Sequence, residues 1–282
     1  MMLICDLPAF ASIRFEPIIA LLRGRPVLEA PATAMGGLSM AILESGMLDA
    51  GLAYHRRWAH LSSSNDNASS LDSPSIVVEE VDEVTGLRCQ GLNCTIGAIQ
   101  AEILHSEAGY PHLGRVDPLV TCAAIAQSLA PHGVRTRRLL RYCLAGPWLR
   151  ADRLRWVDPL HSMLRDGMER SGLLVVKPDP AWPRTLAAGL PTQVHDAVRN
   201  ESVGWAAMSD LDRTSVMSHI AADAITTTDV PTPRLEVLMW QRPGLCDGKT
   251  DVFSEIEDWI DSFDASAIDE LVDDLLRHAG QH

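Results

Sequence analysis

The sequence is poor in lysine. Of its 24 Lys and Arg residues only Lys177 and Lys249 are lysines, so arginine supplies almost all of the positive charge. A GC-rich genome would produce the same bias without selection on function, so the arginine excess alone indicates no ligand. Glycine-rich phosphate loops are also missing, since neither G-x-x-x-x-G-K-[ST] nor G-x-G-x-x-G occurs. The sequence therefore contains no motif of this kind for a nucleotide, and it identifies no cofactor.

Long apolar runs are missing as well. No segment approaches the ~18 consecutive apolar residues that a membrane-spanning helix needs. The first residues are apolar in patches, but Asp6, Arg14 and Glu16 interrupt them. The core of a signal peptide, ~7–15 apolar residues long, cannot form between these charges. We therefore expect a cytoplasmic protein with no membrane partner.

The cysteines are scattered along the chain rather than grouped as in a disulfide framework. Cys89 and Cys94 form the only close pair, and no second pair completes a zinc site. We therefore predict neither a zinc site nor a set of structural disulfides. In a reducing cytoplasm most of the six residues should be buried thiols, namely Cys5, Cys89, Cys94, Cys122, Cys143 and Cys246.

The composition predicts a folded chain of mixed class. Its hydrophobic share of 46% and charged share of 22% are close to the averages of globular proteins. Both helix and strand patterns occur and helix dominates, so the expected class is α+β. We predict a small α/β segment over 1–60, a Ser- and Asn-rich linker or long loop over 61–74, a helix-rich body with one β-hairpin over 75–250, and an acidic amphipathic helix pair over 251–282.

Local patterns assign the elements of the first hundred residues. Before the linker, the strand-like stretches MMLICD and RPVLEA alternate with the helical stretches PIIALLRG and MGGLSMAILESGML. After the linker, SIVVEEV and LRCQGL flank the acidic turn DEVTG, in which Gly86 can adopt a positive φ. This arrangement predicts a β-hairpin. From Cys94 onward the patterns predict helices.

Residues 117–190 have the layout of a winged helix-turn-helix. Two stretches begin with Asp-Pro and end at glycine, DPLVTCAAIAQSLAPHG and DPLHSMLRDGMERSG, and an arginine-bearing helix lies between them. Gly146-Pro147 should end that middle helix. The strand-like LLVVKPDP follows, as the wing follows the last helix of this motif. The spacing between the second and third helices is longer than the compact turn of the motif.

Two amphipathic helices are predicted at residues 251–282. Ser254 with Glu257, and Ser266 with Asp269, have the spacing of a capping box. Apolar residues recur at helical spacing in both stretches, and Gly280 ends the second. We refer to these two helices as the acidic helix pair.

Charge is segregated along the chain. Residues 131–170 contain nine arginines and four acids, whereas 251–282 contain ten acids and one arginine, although the whole chain carries a net charge of −13. Three interpretations are open. The arginines form solvated helix faces, or they bind the acidic helix pair within the chain, or they bind a separate polyanionic partner, whose carboxylates or phosphates the guanidinium fork can grip with two hydrogen bonds.

The preferred interpretation is a non-catalytic binding or adaptor subunit of a bacterial multi-protein system. Its arginine-rich helical surface would contact an anionic partner, either an acidic peptide, a protein or nucleic acid. A sequence pI near 5.1 argues against a free-standing DNA-binding protein. A winged-helix nucleic-acid binder is an alternative. The residues predicted to contact the partner belong to the arginine segment, residues 134–156, and are Arg135, Arg137, Arg138, Arg141, Arg150, Arg153 and Arg155.

Two enzymatic alternatives rest on short motifs. Glu102 and His105 have E-x-x-H spacing, which on a helix would put both on one face, as in a helical metal-dependent enzyme. A solvated acidic face gives the same pattern, and the second copy that a di-iron site requires is missing from the sequence. Residues 37–41 are a loose form of the nucleophile elbow, with Ser39 as nucleophile. Gly and Ser are also typical of a helix start.

Overall fold

A computed structural model shows the fold of most of the chain. The described residues are 4–59, 73–81, 83–105, 111–150, 159–177, 192–201, 203–227, 232–246 and 251–281. Within them the fold is mixed and contains more helix than strand, which confirms the predicted class in outline. Residues 61–72 of the predicted linker lie outside the described residues.

A five-stranded sheet lies at one side of the fold, and its strands are β1 (Val27–Pro31), β2 (His55–Ala59), β3 (Ser75–Val78), β4 (Leu87–Gln90) and β5 (Asn93–Ile96). The strand order is β2-β1-β3-β5-β4. β1 is parallel to both β2 and β3, β3 is parallel to β5, and β4 is antiparallel to β5. The sheet therefore joins strands from both sides of 61–74.

The hairpin forms in a different place from the predicted one. β3 does not pair with β4, because β3 lies between the parallel strands β1 and β5. The hairpin joins β4 to β5 through a two-residue turn at Gly91 and Leu92, and Gly91 has a φ of 58°. Glycine at the first position of so short a turn permits the backbone twist that a hairpin requires. Gly86 does adopt positive φ, at 78°, as the sequence predicts.

Helix α1 (Glu16–Leu22) precedes β1, and helix α2 (Ala34–Asp49) follows it directly, as predicted. Thr33 is the N-cap of α2, where its hydroxyl accepts a hydrogen bond from the Gly36 amide at 3.0 Å. Residues 35–47 of α2 are all buried. A helix buried on all sides is a core helix, and it needs partners around its whole circumference.

The expected strand at the start of the chain is wrong in its described part. Ile4–Asp6 forms a 3₁₀ helix, and a second one covers Pro8–Phe10. The Ile4 amide donates to Oε1 of Gln127 at 2.7 Å, so the segment is fixed by a helix far along the chain rather than by a strand neighbour. The intrinsic propensities of these residues for helix or strand carry no information about a contact with a residue so remote in sequence.

The helical prediction is wrong for the described residues between Cys94 and Val116, although it holds from Pro118 onward. The chain forms β5 and then an antiparallel ribbon of β6 (Ile99–His105) and β7 (Pro111–Val116). Ile99, Ala101 and Ile103 are more buried than the residues between them, which is the period of two expected in a strand. In so short a stretch, the spacing of apolar residues alone does not distinguish the period of a helix from that of a strand.

Helices dominate the middle of the chain. α3 (Pro118–Leu129) begins with Asp117 as N-cap, as predicted, and α6 (Pro159–Arg170) is followed by Gly172 with a φ of 70°. The arginine-bearing stretch forms α4 (Val134–Leu139), a 3₁₀ helix (Leu140–Ala145) and α5 (Gly146–Leu149). Gly146-Pro147 therefore starts a short helix instead of ending the predicted one, because proline is compatible with the first turn of a helix.

Strand β8 (Leu174–Lys177) follows α6, where the sequence predicts the start of a wing. Its antiparallel partner is β9 (Arg242–Leu245). Helices α7 (Thr192–Glu201), α8 (Asp210–Thr227) and α9 (Thr232–Met239) lie between the two strands in the chain. The partner of β8 is thus remote in sequence, and the winged-helix assignment stays a prediction.

The acidic helix pair consists of α10 (Val252–Ser262) and α11 (Ile268–Gly280), with a short 3₁₀ helix (Ala265–Ala267) before α11. Both helices are confirmed, but neither predicted serine is an N-cap: Asp251 caps α10 and Asp264 caps the short 3₁₀ helix, while Ala267 occupies the N-cap position of α11. Asp251 accepts from the amides of Phe253 and Ser254, and Asp264 accepts from that of Ser266. An aspartate lies ahead of each predicted serine, and its carboxylate is the stronger acceptor.

One contiguous apolar core connects the sheet, α2, α3, the arginine-bearing helices and the acidic helix pair. α2 and α3 approach so closely that a Cβ on Gly46 would lie 2.7 Å from Cα of Ala126. In the part of the chain that the structure describes, no helix combines the length and the apolar character needed to cross a membrane.

Replacing Gly46 by alanine should therefore destabilise the protein by about 1–3 kcal/mol, the usual cost of overpacking. The gain in helix propensity, about 1 kcal/mol at most, is smaller than this cost. Urea unfolding followed by circular dichroism measures the change. Leu48→Ala is the control, because Leu48 lies on the same helix but is 40% exposed. An unfolding free energy at or above that of the wild type would contradict the close approach of α2 and α3.

Candidate binding surface

The fold brings three of the predicted arginines together. Arg135 and Arg138 lie on α4, and Arg141 lies on the 3₁₀ helix that continues it. All three face parts of α2 or of the acidic helix pair. Their contacts differ in chemistry.

Arg141 grips a carboxylate of the acidic helix pair with two hydrogen bonds. Its Nε donates to Oε2 of Glu255 at 2.6 Å, and its Nη2 donates to Oε1 at 2.9 Å. The two side chains are 23% and 20% exposed, so water screens the pair only in part. Two parallel hydrogen bonds between a guanidinium group and a carboxylate restrict the angle at which the groups meet, so this pair also fixes the orientation of α10.

Arg138 binds the end of α11 rather than a carboxylate. Its Nη1 donates to the carbonyl oxygen of Ala279 at 3.2 Å and also to that of Gln281. The last carbonyl groups of a helix have no partner within the helix and carry its negative dipole end. The guanidinium group therefore donates hydrogen bonds to carbonyl groups that lack a partner within α11, and it places a positive charge at the negative end of the helix dipole.

Asp49, the last residue of α2, holds the start of α4. Its Oδ2 accepts from the backbone amide of Thr136 at 2.8 Å, and its Oδ1 accepts from Nη1 of Arg135 at 3.3 Å. Asp49 thus acts as an N-cap supplied by another helix. Gly133 is required beside it, because a Cβ there would lie 2.2 Å from the carboxylate oxygen.

The other predicted contact residues do not join this group. Arg150 donates to Asp117 at 3.4 Å, near the start of α3, and Arg115 donates to the same carboxylate at 3.0 Å. Arg137 is exposed, and within the described residues its side chain has no ion pair or hydrogen bond. Arg153 and Arg155 lie outside the described residues.

A second cluster binds the first half of α11, and sequence reasoning missed it. Arg56 on β2 donates to both carboxylate oxygens of Glu44 and to Oδ1 of Asp273, the latter at 2.8 Å. It also bonds Asp269, which in turn accepts from Nε1 of Trp58 at 2.8 Å. One guanidinium group therefore connects α2, β2 and α11.

The available sequence signal for this cluster was Glu44. It is the only ionisable residue between Ala34 and Met47, so an interior helix requires a cation beside it. Glu44 is fully buried, and burial raises its pKa, although Arg56 opposes this shift. The hydroxyl of Tyr54 donates to the same carboxylate at 2.9 Å, and burial together with that negative charge raises the pKa of Tyr54.

A cleft of about 400 Å³ lies between α10 and α11, next to the pair of Arg141 and Glu255. Tyr142 lines it, and burial followed by the charge of Glu255 raises the pKa of Tyr142 to about 12. The lining combines apolar side chains with carboxylates and includes Asp258, Trp259, Leu271, Asp274, Leu275 and His278.

Neither enzymatic motif has the geometry that its chemistry requires. Glu102 and His105 lie on strand β6, not on a helix, so the i, i+3 spacing no longer places them on one helical face. Ser39 lies within α2, beyond its first turn, and is fully buried. A nucleophile elbow exposes its serine between a strand and a helix, and here Ala32 and Thr33 occupy that position.

Within the described ranges, no three His, Cys, Asp or Glu side chains form a group that could hold a metal ion. No protein-family model matches the sequence, and no curated protein matches it either. The clearest chemical feature is thus the contact between arginines and the acidic helix pair.

The Arg56 cluster predicts a large difference between two neighbouring arginines. Arg56→Met should destabilise the protein by about 3–5 kcal/mol, because it leaves the Glu44 carboxylate buried and unpaired. Arg57→Met is the matched control. Arg57 pairs with Glu29 but is 47% exposed, so its loss should cost only about 0–1 kcal/mol. Urea unfolding near neutral pH measures both, and equal effects would contradict the role given to Glu44.

The same variant has a predicted pH dependence. Burial raises the pKa of Glu44, so the ionised carboxylate lowers the stability of the folded state. This loss of stability is absent below the pKa of the unfolded chain and grows as the pH rises through the folded-state pKa. Without Arg56 the pKa rises further. The stability difference between wild type and Arg56→Met should therefore be smaller at about pH 4 than at about pH 7. A difference that grows on acidification would contradict this assignment.

Proposed function

We propose that this chain is a non-catalytic binding or adaptor subunit that holds an acidic amphipathic helix of a protein partner on its arginine-bearing surface. Arg138 and Arg141 form the centre of that surface, and the exposed Arg137 extends it. In the absence of a partner, the acidic helix pair occupies the surface within the chain. The observation that carries the proposal is the two-hydrogen-bond grip of Arg141 on Glu255.

The contacts within the chain indicate which chemistry a partner at this surface would need. Exposed ion pairs contribute only about 0–1 kcal/mol each, so charge alone would not hold a helix there. The apolar residues Ile268, Val272 and Leu276 of α11 are buried, and burying one such side chain contributes about 1.5–3 kcal/mol. A competing partner must therefore supply an apolar stripe as well as acidic residues, and a simple polyanion lacks that stripe.

A winged-helix nucleic-acid binder is the second proposal. It is supported by the order α3, α4, α6 and β8, with Gly172 between α6 and β8. The exposed residues of α6 are less favourable to it, because Asp166 and Glu169 accompany Arg170 there. Binding of a DNA duplex that weakens steeply with salt would support this alternative, since phosphate contacts release counterions. No binding at low salt would eliminate it.

Partner capture should depend on the three arginines of the surface. The triple variant Arg137→Glu/Arg138→Glu/Arg141→Glu should lose at least about tenfold in capture from a native extract, as expected when attraction becomes repulsion at several positions. The matched control is Arg23→Glu/Arg88→Glu/Arg170→Glu, which changes the net charge equally at exposed positions elsewhere. Quantitative mass spectrometry of the captured proteins measures both. Capture that survives in a folded triple variant would contradict the proposal.

A peptide of residues 264–281, added to the full-length protein, should bind in competition with α11. The variant Asp269→Asn/Asp273→Asn weakens the tie of α11 to Arg56, so the peptide should bind it about fivefold more tightly than the wild type, which corresponds to about 1 kcal/mol. Fluorescence anisotropy of the labelled peptide measures these affinities.

The control peptide carries serine in place of Val272 and Leu276 and keeps every charge. If it bound as well as the parent peptide, binding would be electrostatic alone. If the asparagine variant bound no more tightly than the wild type, α11 would not compete for the surface. Either result would contradict the mode of binding proposed here.

A further inference from the structure

A disulfide lies at the edge of the sheet away from the acidic helix pair. Cys89 on β4 and Cys94 on β5 are directly opposite in the hairpin register and are bonded to each other. This corrects the expectation that both are thiols. The sequence separation of five did not reveal the pairing, because only the turn at Gly91 and Leu92 brings the two positions face to face.

The disulfide joins two residues that the backbone of the hairpin already holds together. β4 and β5 pair over four residues on each strand, and the turn between them has two residues. A crosslink stabilises a protein by restricting the unfolded chain, and that effect is smallest for the shortest loops. The disulfide therefore adds little as a structural staple.

The two sulfur atoms differ in access. Cys94 is 1% exposed and belongs to the core, whereas Cys89 is half-buried. Cys89 also lines a cleft of about 380 Å³ that is formed with Ser12, Ile13, Arg14, Pro17, Leu87 and Ile99. A small molecule in this cleft reaches the disulfide at Cys89 and not at Cys94.

Arg14 gives the cleft its charge. It is the only charged side chain in the lining, it is exposed, and within the described residues it has no ion pair or side-chain hydrogen bond. Its guanidinium group is thus available to a carboxylate or sulfonate. The whole chain, with its net charge of −13, would otherwise favour cations.

We propose that the Cys89–Cys94 disulfide is a thiol-exchange site that reacts with a small anionic thiol bound in this cleft. The thiolate attacks Sγ of Cys89, the bond between the two cysteines breaks, and Sγ of Cys94 takes the electron pair and then a proton from solvent. A second thiolate attacks the outer sulfur of the mixed disulfide. The products are the external disulfide and the Cys89 thiolate beside Arg14. An excess of the external disulfide drives the same steps in reverse.

The test uses three thiols of similar size, 2-mercaptoethanesulfonate, 2-mercaptoethanol and cysteamine, which are anionic, neutral and cationic. The full-length oxidised protein carries Cys246→Ser to remove its exposed free thiol. Alkylation and mass spectrometry measure the rate of reduction, corrected for the thiolate fraction of each reagent. The anionic thiol should react about threefold faster than the cationic one, the size expected of one charge acting through water.

Arg14→Gln should reverse that order, whereas Arg23→Gln, another exposed arginine, should leave it unchanged. In Cys94→Ser there is no second thiol to attack the mixed disulfide on Cys89. The disulfide of 2-mercaptoethanesulfonate should therefore leave a stable adduct on Cys89. Reduction only after unfolding, no adduct on Cys89, or the cationic thiol as the fastest reagent in the wild type would each overturn the proposal.

Discussion

A single carboxylate inside a fully buried helix constrains much of this fold. Glu44 lies in α2, which is surrounded by core, and a buried charge there is tolerable only with a cation beside it. Arg56 supplies that cation, and its remaining hydrogen-bond donors reach Asp269 and Asp273 on α11. The arginine that balances the charge of Glu44 thus also determines where α11 packs.

The position of α11 explains why the segregated charges meet. With the first half of α11 held by Arg56, its last carbonyl groups lie against Arg138, and α10 places Glu255 against Arg141. Apolar burial supplies most of the stabilisation of this contact, while the charges fix its orientation. Under the function proposed above, an acidic amphipathic helix from another protein would satisfy the same groups.

The two edges of the sheet carry separate chemistry. Arg56 lies on the edge strand β2, and Cys89 lies on the opposite edge strand β4. The Arg56 cluster and the proposed thiol-exchange site therefore lie on the same sheet but share no residue. A variant at Arg14 or Cys94 tests the second without changing the contacts of Arg138 or Arg141.

The sequence by itself determined the features that depend on neighbours along the chain. Helical periodicity predicted α10 and α11, the helical stretch MGGLSMAILESGML predicted α2, the Asp-Pro start predicted α3, and the positive φ at Gly86 followed from glycine in a turn. Only the tertiary structure decided which strands pair, that Cys89 meets Cys94, and that Arg56 reaches Glu44 and α11. The reason is physical: periodicity and capping act over a few residues, whereas strand pairing and burial of charge depend on groups that are remote in sequence.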